Sequence, residues 1–217
     1  MRQPPTHVGL IPDGLRRWAD ANGTTLADAY LRGAHKVIEI LLTLQRNGVQ
    51  TASVYNLSCA NLARRDDELE AVYAASVHFL TALIPAHFDP GTCSVRLHGN
   101  RKLLPQKYVA AVRDLEITMK GDGFRINMLA AYDACDELRA AHIKAQQDGS
   151  DINAAFEIGD VDIVIRTTPE PMLSGFLPLQ SQYAQLVFLT TPLNELEDRQ
   201  IDDLIADYRH SPQLRGR

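Results

Sequence analysis

The stretch "IPDGLRRWAD", residues 11–20, sets one acid, a glycine and two adjacent arginines directly after an apolar run. Those residue types suit a ligand that is both phosphorylated and metal-bound. Gly14 lets backbone N–H groups approach phosphate oxygens, Arg16 and Arg17 offer forked donors, and Asp13 can ligate Mg2+ whose other ligands are phosphate oxygens. The bland alternative makes Asp13 a helix cap and the arginines solvated surface. Two further segments weigh against it. Ser58, Asn61 and Arg64 follow a second apolar run, and "RTTPEPMLSGF" brings Arg166, Glu170 and Ser174 after a third. Each of the three places pairs an arginine with small polar donors.

The elements that must position these groups follow from hydrophobic periodicity. Strands are expected at residues 7–11, 51–57, 93–99, 124–132, 160–167 and 186–189. Helices are expected at 26–46, 69–84, 105–119, 135–146 and 195–208. Strands alternating with helices predict an α/β fold: a mostly parallel six-stranded central sheet flanked by helices. Ligands bind beyond the carboxyl ends of strands in such sheets. Asp13, Gly14, Arg16 and Arg17 are then expected on one strand-to-helix loop. No repeat or linker divides the chain, so residues 1–217 are read as a single domain.

The chain has 217 residues and a formal net charge of −5. The acidic excess argues against a nucleic-acid surface, so any phosphate site must be local. Cys59, Cys93 and Cys135 are isolated, without zinc spacing, and read as buried, reduced thiols of a cytoplasmic protein. No apolar run is expected to reach a membrane span, and stable membrane insertion is not expected.

Four segments, "HVGLIPDGLRRWA", "SVYNLSCANLARR", "RLHGNRKLLP" and "DIVIRTTPEPMLSGFLPLQSQYAQLVF", resemble the undecaprenyl diphosphate synthase, or cis-prenyltransferase, family. The resemblance implies a homodimeric, Mg2+-dependent prenyltransferase acting on isoprenoid diphosphates, with an apolar tunnel between the sheet and two helices. Under it, Asp13 matches the catalytic metal-binding acid, and Gly14 and Arg17 match the allylic diphosphate cradle. Ser58, Asn61 and Arg64 match the segment that organises the reacting groups, while Arg166 and Ser174 match part of the second diphosphate site. The tail "QLRGR" faintly matches a basic tail of the family.

The departures carry information too. Leu15 and Arg16 replace an asparagine and a glycine, Tyr30 replaces a histidine, and Leu26 an arginine. Tyr30 either orients diphosphate through its hydroxyl or fills the vacated space, and Trp18 either packs the corner or walls the prenyl chain. "NYGGRDE" becomes "AYDACDE". Met172 stands where a second-site arginine belongs, and Gln185 where the family has an acid linked to metal and acceptor binding. "PDGxRRW" and "FLPLQSQYA" are similar to small actinobacterial members of the lavandulyl kind, which join dimethylallyl diphosphate to another allylic unit. That implies a donor of dimethylallyl or geranyl diphosphate and a short irregular or cyclised product. Regular elongation with isopentenyl diphosphate, a diphosphate lyase or terpene cyclase, and a non-catalytic partner subunit stay open. His78, Phe79 and Phe88 are candidates for a tunnel floor or plain core. His35 and His98 read as surface and loop support, and the acidic run Asp202, Asp203, Asp207 as a solvated helix face.

Overall fold

The computed structural model describes residues 3–211; the tail "QLRGR" lies outside them. Six strands, β1 (His7–Ile11), β2 (Thr51–Tyr55), β3 (Cys93–His98), β4 (Phe124–Leu129), β5 (Ile163–Arg166) and β6 (Gln185–Phe188), form one sheet in the order β3-β4-β2-β1-β5-β6. Every neighbouring pair is parallel. The central strand β1, "HVGLI", is buried at all five positions, as a strand covered on both faces must be. The edge strand β6 is exposed or half-buried throughout.

The helices are α1 (Leu15–Asn22), α2 (Leu26–Arg46), α3 (Asp66–His78), α4 (Ile84–His87), α5 (Gln106–Thr118), α6 (Ala134–Asp148), α7 (Ile152–Ala155) and α8 (Asp198–His210). Thr25 caps α2 by accepting the Asp28 N–H at 3.1 Å, and Asp133 caps α6 by accepting that of Cys135 at 2.8 Å. On one face of the sheet Leu10, Ala52, Val54, Ile126 and Ile165 pack under α2, α3, α5 and α8 in the main core. On the other, Phe176 fills the space over Gly9, where a Cβ would sit 2.5 Å from its ring.

A polar thread runs across the inner strands. His7 Nδ1 meets the Asp160 carbonyl at 3.0 Å, which leaves Nε2 to accept from Ser53 Oγ at 2.8 Å. Asn127 donates to Ser53 Oγ at 3.1 Å and accepts from His98 Nε2 at 3.3 Å. His98 therefore serves side chains within the sheet rather than loop backbone.

Several expectations change. Arg16 and Arg17 lie on the first turn of α1, not on a loop, because Gly14 turns left-handed (φ 89°) and starts the helix at once. Helix α3 runs through a π-helical turn, Phe79–Leu83, into α4. By length and composition alone Asp66–His87 is apolar enough to cross a membrane, contrary to the sequence expectation, but 44% of its most apolar window is buried inside the fold. Its apolar residues serve two surfaces: Leu80, Leu83 and Ile84 pack in the core, while Val72, Ala75 and Phe79 also wall a cavity. Cys93 is buried, but Cys59 is half-buried and Cys135 exposed. Asp202 is held by Arg46 at 3.1 Å and Asn47 at 2.6 Å, so the acidic run is an ordinary helix face.

Candidate active site

A cavity of about 680 Å³ opens beyond the carboxyl ends of β1, β2 and β5. Its inner wall is apolar, with Val54 and Met128 from the sheet, Val37 from α2, and Val72, Ala75 and Phe79 from the α3 run. This is the tunnel between sheet and helices that the resemblance implied. Phe79 belongs to its wall. Phe88 instead stacks on Phe124 at 5.9 Å in the core, and His78 packs near the exposed His35 with ring centroids 5.8 Å apart.

Two charged clusters face each other at the mouth. In the first, Arg166 is buried and donates to Asp13 Oδ2 at 2.7 Å, Ser174 Oγ at 2.9 Å and Thr168 Oγ1 at 3.1 Å, as well as to the Met172 carbonyl. Asp13 Oδ1 accepts the Gly14 N–H at 2.6 Å, and the Asp13 N–H is held by Thr167 Oγ1 at 2.8 Å. Ser174 has φ 53°, and its carbonyl accepts from the Tyr55 hydroxyl at 3.1 Å. Holding a non-glycine residue there costs conformational energy, and the Arg166 and Tyr55 bonds offset it. Arg17 reaches the same loop through Glu170 at 2.5 Å. That bond holds the Glu170 carboxyl down at about 2 and raises the Arg17 guanidinium. Gly14 stands at the start of α1 and offers no side-chain cap, so the N–H groups of the helix's first turn are orphan donors near Asp13.

The second cluster is organised by a residue that sequence reasoning missed. Glu68, buried on the first turn of α3, is 3.0 Å from Arg64, 3.5 Å from Arg16 and 3.1 Å from the Tyr30 hydroxyl. Burial, above all, pushes that hydroxyl up to about 12, so Tyr30 stays protonated and donates. The only sequence signal for Glu68 was its position four residues after Arg64, the helical spacing for an ion pair. Below it Ser58 and Asn61 lock together: the Ser58 N–H donates to Asn61 Oδ1, and the Asn61 N–H to Ser58 Oγ, both at 3.1 Å.

Asp13, Gly14, Leu15, Arg16, Arg17, Tyr30, Ser58, Asn61, Arg64, Arg166 and Ser174 therefore all line one cavity. Trp18 does not. Its indole N–H donates to Glu195 at 2.9 Å, and the Arg32 guanidinium sits 5.3 Å over its ring, so it packs the corner. Met172 is at the rim, 54% exposed. Gln185 starts β6, pairs with Ile163 and is not part of this wall, so within one chain its lost charge does not touch Asp13. Tyr132, Asp133 and Asp136 of the altered "AYDACDE" segment line a separate, smaller cavity.

The carboxylates of the mouth also bear on metal. Among the described residues no three His, Cys, Asp or Glu side chains converge to hold an ion. Magnesium keeps several waters and takes one or two carboxylates together with substrate phosphates. Asp13 beside arginines and orphan N–H groups fits an ion that arrives with a diphosphate, and does not fit an all-protein cage.

A paired-charge mouth above an apolar sleeve has the chemistry to hold a molecule with an anionic head and an apolar tail. The sequence profile of the family described as "Putative undecaprenyl diphosphate synthase" matches residues 11–216, and the chain belongs to that family of prenyl diphosphate synthases. The (2Z,6E)-farnesyl diphosphate synthase of Mycolicibacterium smegmatis is 32% identical over 209 residues, covering 86% of this chain and 78% of its own. The isoprenyl transferase of Lactococcus lactis is 25% identical over 98% of this chain and 93% of its own. Lavandulyl diphosphate synthase from Lavandula x intermedia, solved with dimethylallyl diphosphate, superposes with a TM-score of 0.88 at 22% identity over 99% of both chains. A probable undecaprenyl diphosphate synthase from Campylobacter jejuni gives 0.84 at 20% identity over the whole of both chains. The enzyme is thus a prenyltransferase with a cis-prenyltransferase fold.

Proposed function

We propose that this enzyme couples two short isoprenoid diphosphates with Mg2+, taking dimethylallyl or geranyl diphosphate as donor and dimethylallyl diphosphate as acceptor, to give an irregular or cyclised prenyl diphosphate. The observation that carries the reading is the asymmetry of the mouth: the donor side keeps Asp13, Gly14 and Arg17, while the acceptor side keeps Arg166 and Ser174 but has Met172 at its rim.

In the apo arrangement every arginine of the mouth is matched to a carboxylate: Arg166 to Asp13, Arg17 to Glu170, and Arg16 and Arg64 to Glu68. The acceptor's diphosphate would take the Arg166 guanidinium, freeing the Asp13 carboxylate to hold a cation on the donor side. Asp13 would hold Mg2+, which would supply charge neutralisation on the leaving group. Arg17 and the α1 N–H groups stabilise the same developing charge. The allylic C–O bond breaks with its electron pair leaving on diphosphate, the acceptor alkene forms the new C–C bond, and a proton passes to a diphosphate oxygen. Ser58 and Asn61, fixed against each other, place the acceptor and organise the reacting groups, and the apolar wall keeps water from the allylic centre.

A second reading, regular short-chain elongation with isopentenyl diphosphate, is favoured by the 32% identity to a (2Z,6E)-farnesyl diphosphate synthase. Incubating the purified protein with dimethylallyl, geranyl and isopentenyl diphosphates, singly and in pairs, with and without EDTA, separates the two by the mass of the dephosphorylated product. A product only in the presence of isopentenyl diphosphate overturns irregular coupling, and hydrocarbon or alcohol plus free diphosphate from one substrate would mark a lyase or cyclase.

The chain as one catalytic domain is supported by all six strands sharing a sheet. A homodimer is supported by the open edge at β6, with Leu186 and Tyr183 exposed beside it. A cytosolic setting is supported by three free cysteines.

A further inference from the structure

The cavity wall is apolar except at one place well below the mouth. Asn56, just past β2, and Ser76, on the cavity side of α3, both line it. The Asn56 amide donates to Ser76 Oγ at 3.0 Å, Ser76 Oγ donates to the Val72 carbonyl at 2.8 Å, and the buried Tyr108 hydroxyl donates to Asn56 Oδ1 at 3.1 Å. These bonds use one of the two Asn56 N–H groups. The other has no protein acceptor among the described residues, and Asn56 is only half-buried, so it is left to the cavity. Ser76 is eight residues beyond Glu68 on the same helix, a rise of about 12 Å from the charged mouth.

We propose that Asn56, Ser76 and Tyr108 form a polar stop that ends the useful length of the tunnel by desolvation rather than by bulk. A prenyl chain reaching this level strips water from the spare Asn56 donor and offers no acceptor in return, so chains ending short of it are preferred. The proposal rests on the cavity being the prenyl-chain site and adds the group that limits the chain.

The test compares Asn56→Leu/Ser76→Ala/Tyr108→Phe, which removes the polar atoms together and keeps the side-chain volume at position 56, with Asn56→Ala, which removes volume. Removing all partners at once avoids stranding a buried hydroxyl. Binding of allylic diphosphates of five, ten, fifteen and twenty carbons is measured by calorimetry for each protein, with circular dichroism confirming the fold. The polar stop predicts that the triple variant shifts the preference for fifteen over ten carbons by about tenfold or more toward the longer chain. Should Asn56→Ala lengthen the preferred chain while the triple variant does not, the limit is steric and the proposal is overturned. Unchanged preference in a folded triple variant overturns it too, as does a triple variant that does not fold while Ser76→Ala alone leaves the preference unmoved. Wild-type protein that binds no allylic diphosphate would instead sink the functional reading beneath it.

Discussion

Arg166 and Asp13 form an ion pair of 2.7 Å across two adjacent strand ends, with the arginine side chain 8% exposed and the acid 33%. The pair joins the last residue of β5 to the loop before α1, so in the proposed reaction the acid of the donor side is held by the cation of the acceptor side. Asp13→Ala is expected to lower kcat by about 10²–10³, the scale of losing one stabilising group at a developing charge. It should also lower Tm, because Arg166 keeps its burial without its partner. Steady-state kinetics and a thermal melt read the two effects separately.

Glu68 organises Arg16, Arg64 and Tyr30 through one carboxylate oxygen. Glu68→Gln is expected to reduce kcat/KM by about tenfold, the scale of a hydrogen bond to a charged group. Tyr30→Phe should cost less alone. In a double-mutant cycle the two should be non-additive, since they share one oxygen of Glu68.

Glu170 is half-buried, and its bond to Arg17 occupies the guanidinium that the proposed reaction assigns to the donor diphosphate. Glu170→Gln should leave Tm unchanged and tighten binding of a magnesium-loaded diphosphate several-fold. Isothermal titration with inorganic diphosphate and Mg2+ measures this directly, and weaker binding would refute the competition.

Met172→Arg places a cation at the rim of the acceptor side. Turnover with isopentenyl diphosphate should rise by about ten- to a hundred-fold, from one restored charge-assisted hydrogen bond of roughly 1.5–3 kcal/mol. Competition between isopentenyl and dimethylallyl diphosphate as acceptors reports the change.

Stability should fall on mild acidification. Burial holds His7 and His98 below the usual 6.5, against the upward pull of Asp162 and Asp160 on the first and Glu157 on the second, with Arg96 adding to the depression of His98. The unfolded chain therefore takes up these protons first, so stability is full above pH 6.5 and is lost as pH falls from there through the lowered folded values. Urea unfolding at pH 7.5, 6.5 and 5.5 should show that decline, and His98→Asn should flatten it.

Much of the fold was legible because its signals are local. The apolar runs of β1 and β5 and the periodicity of α2 survive without knowledge of their neighbours. The break at Gly14 was not, since its left-handed turn converts an expected loop into the first turn of α1. The helix Asp66–His87 misled on hydropathy for a tertiary reason: Val72, Ala75 and Phe79 line a cavity that exists only once α2 and the sheet are in place.

For the site, the sequence by itself determined which groups can do the chemistry. Asp13, Gly14, Arg17, Ser58, Asn61, Arg64, Arg166 and Ser174 stand at strand ends, and a parallel sheet gathers such ends along one edge. Only the tertiary structure decided who holds whom. Arg166 is paired with Asp13 across 153 positions of chain, Arg17 with Glu170 across the same separation, and Trp18 and Gln185 are turned away from the cavity. Contacts between residues so far apart depend on strand order and on the exit angle of each loop, and neither leaves a periodic mark in the residues that obey it.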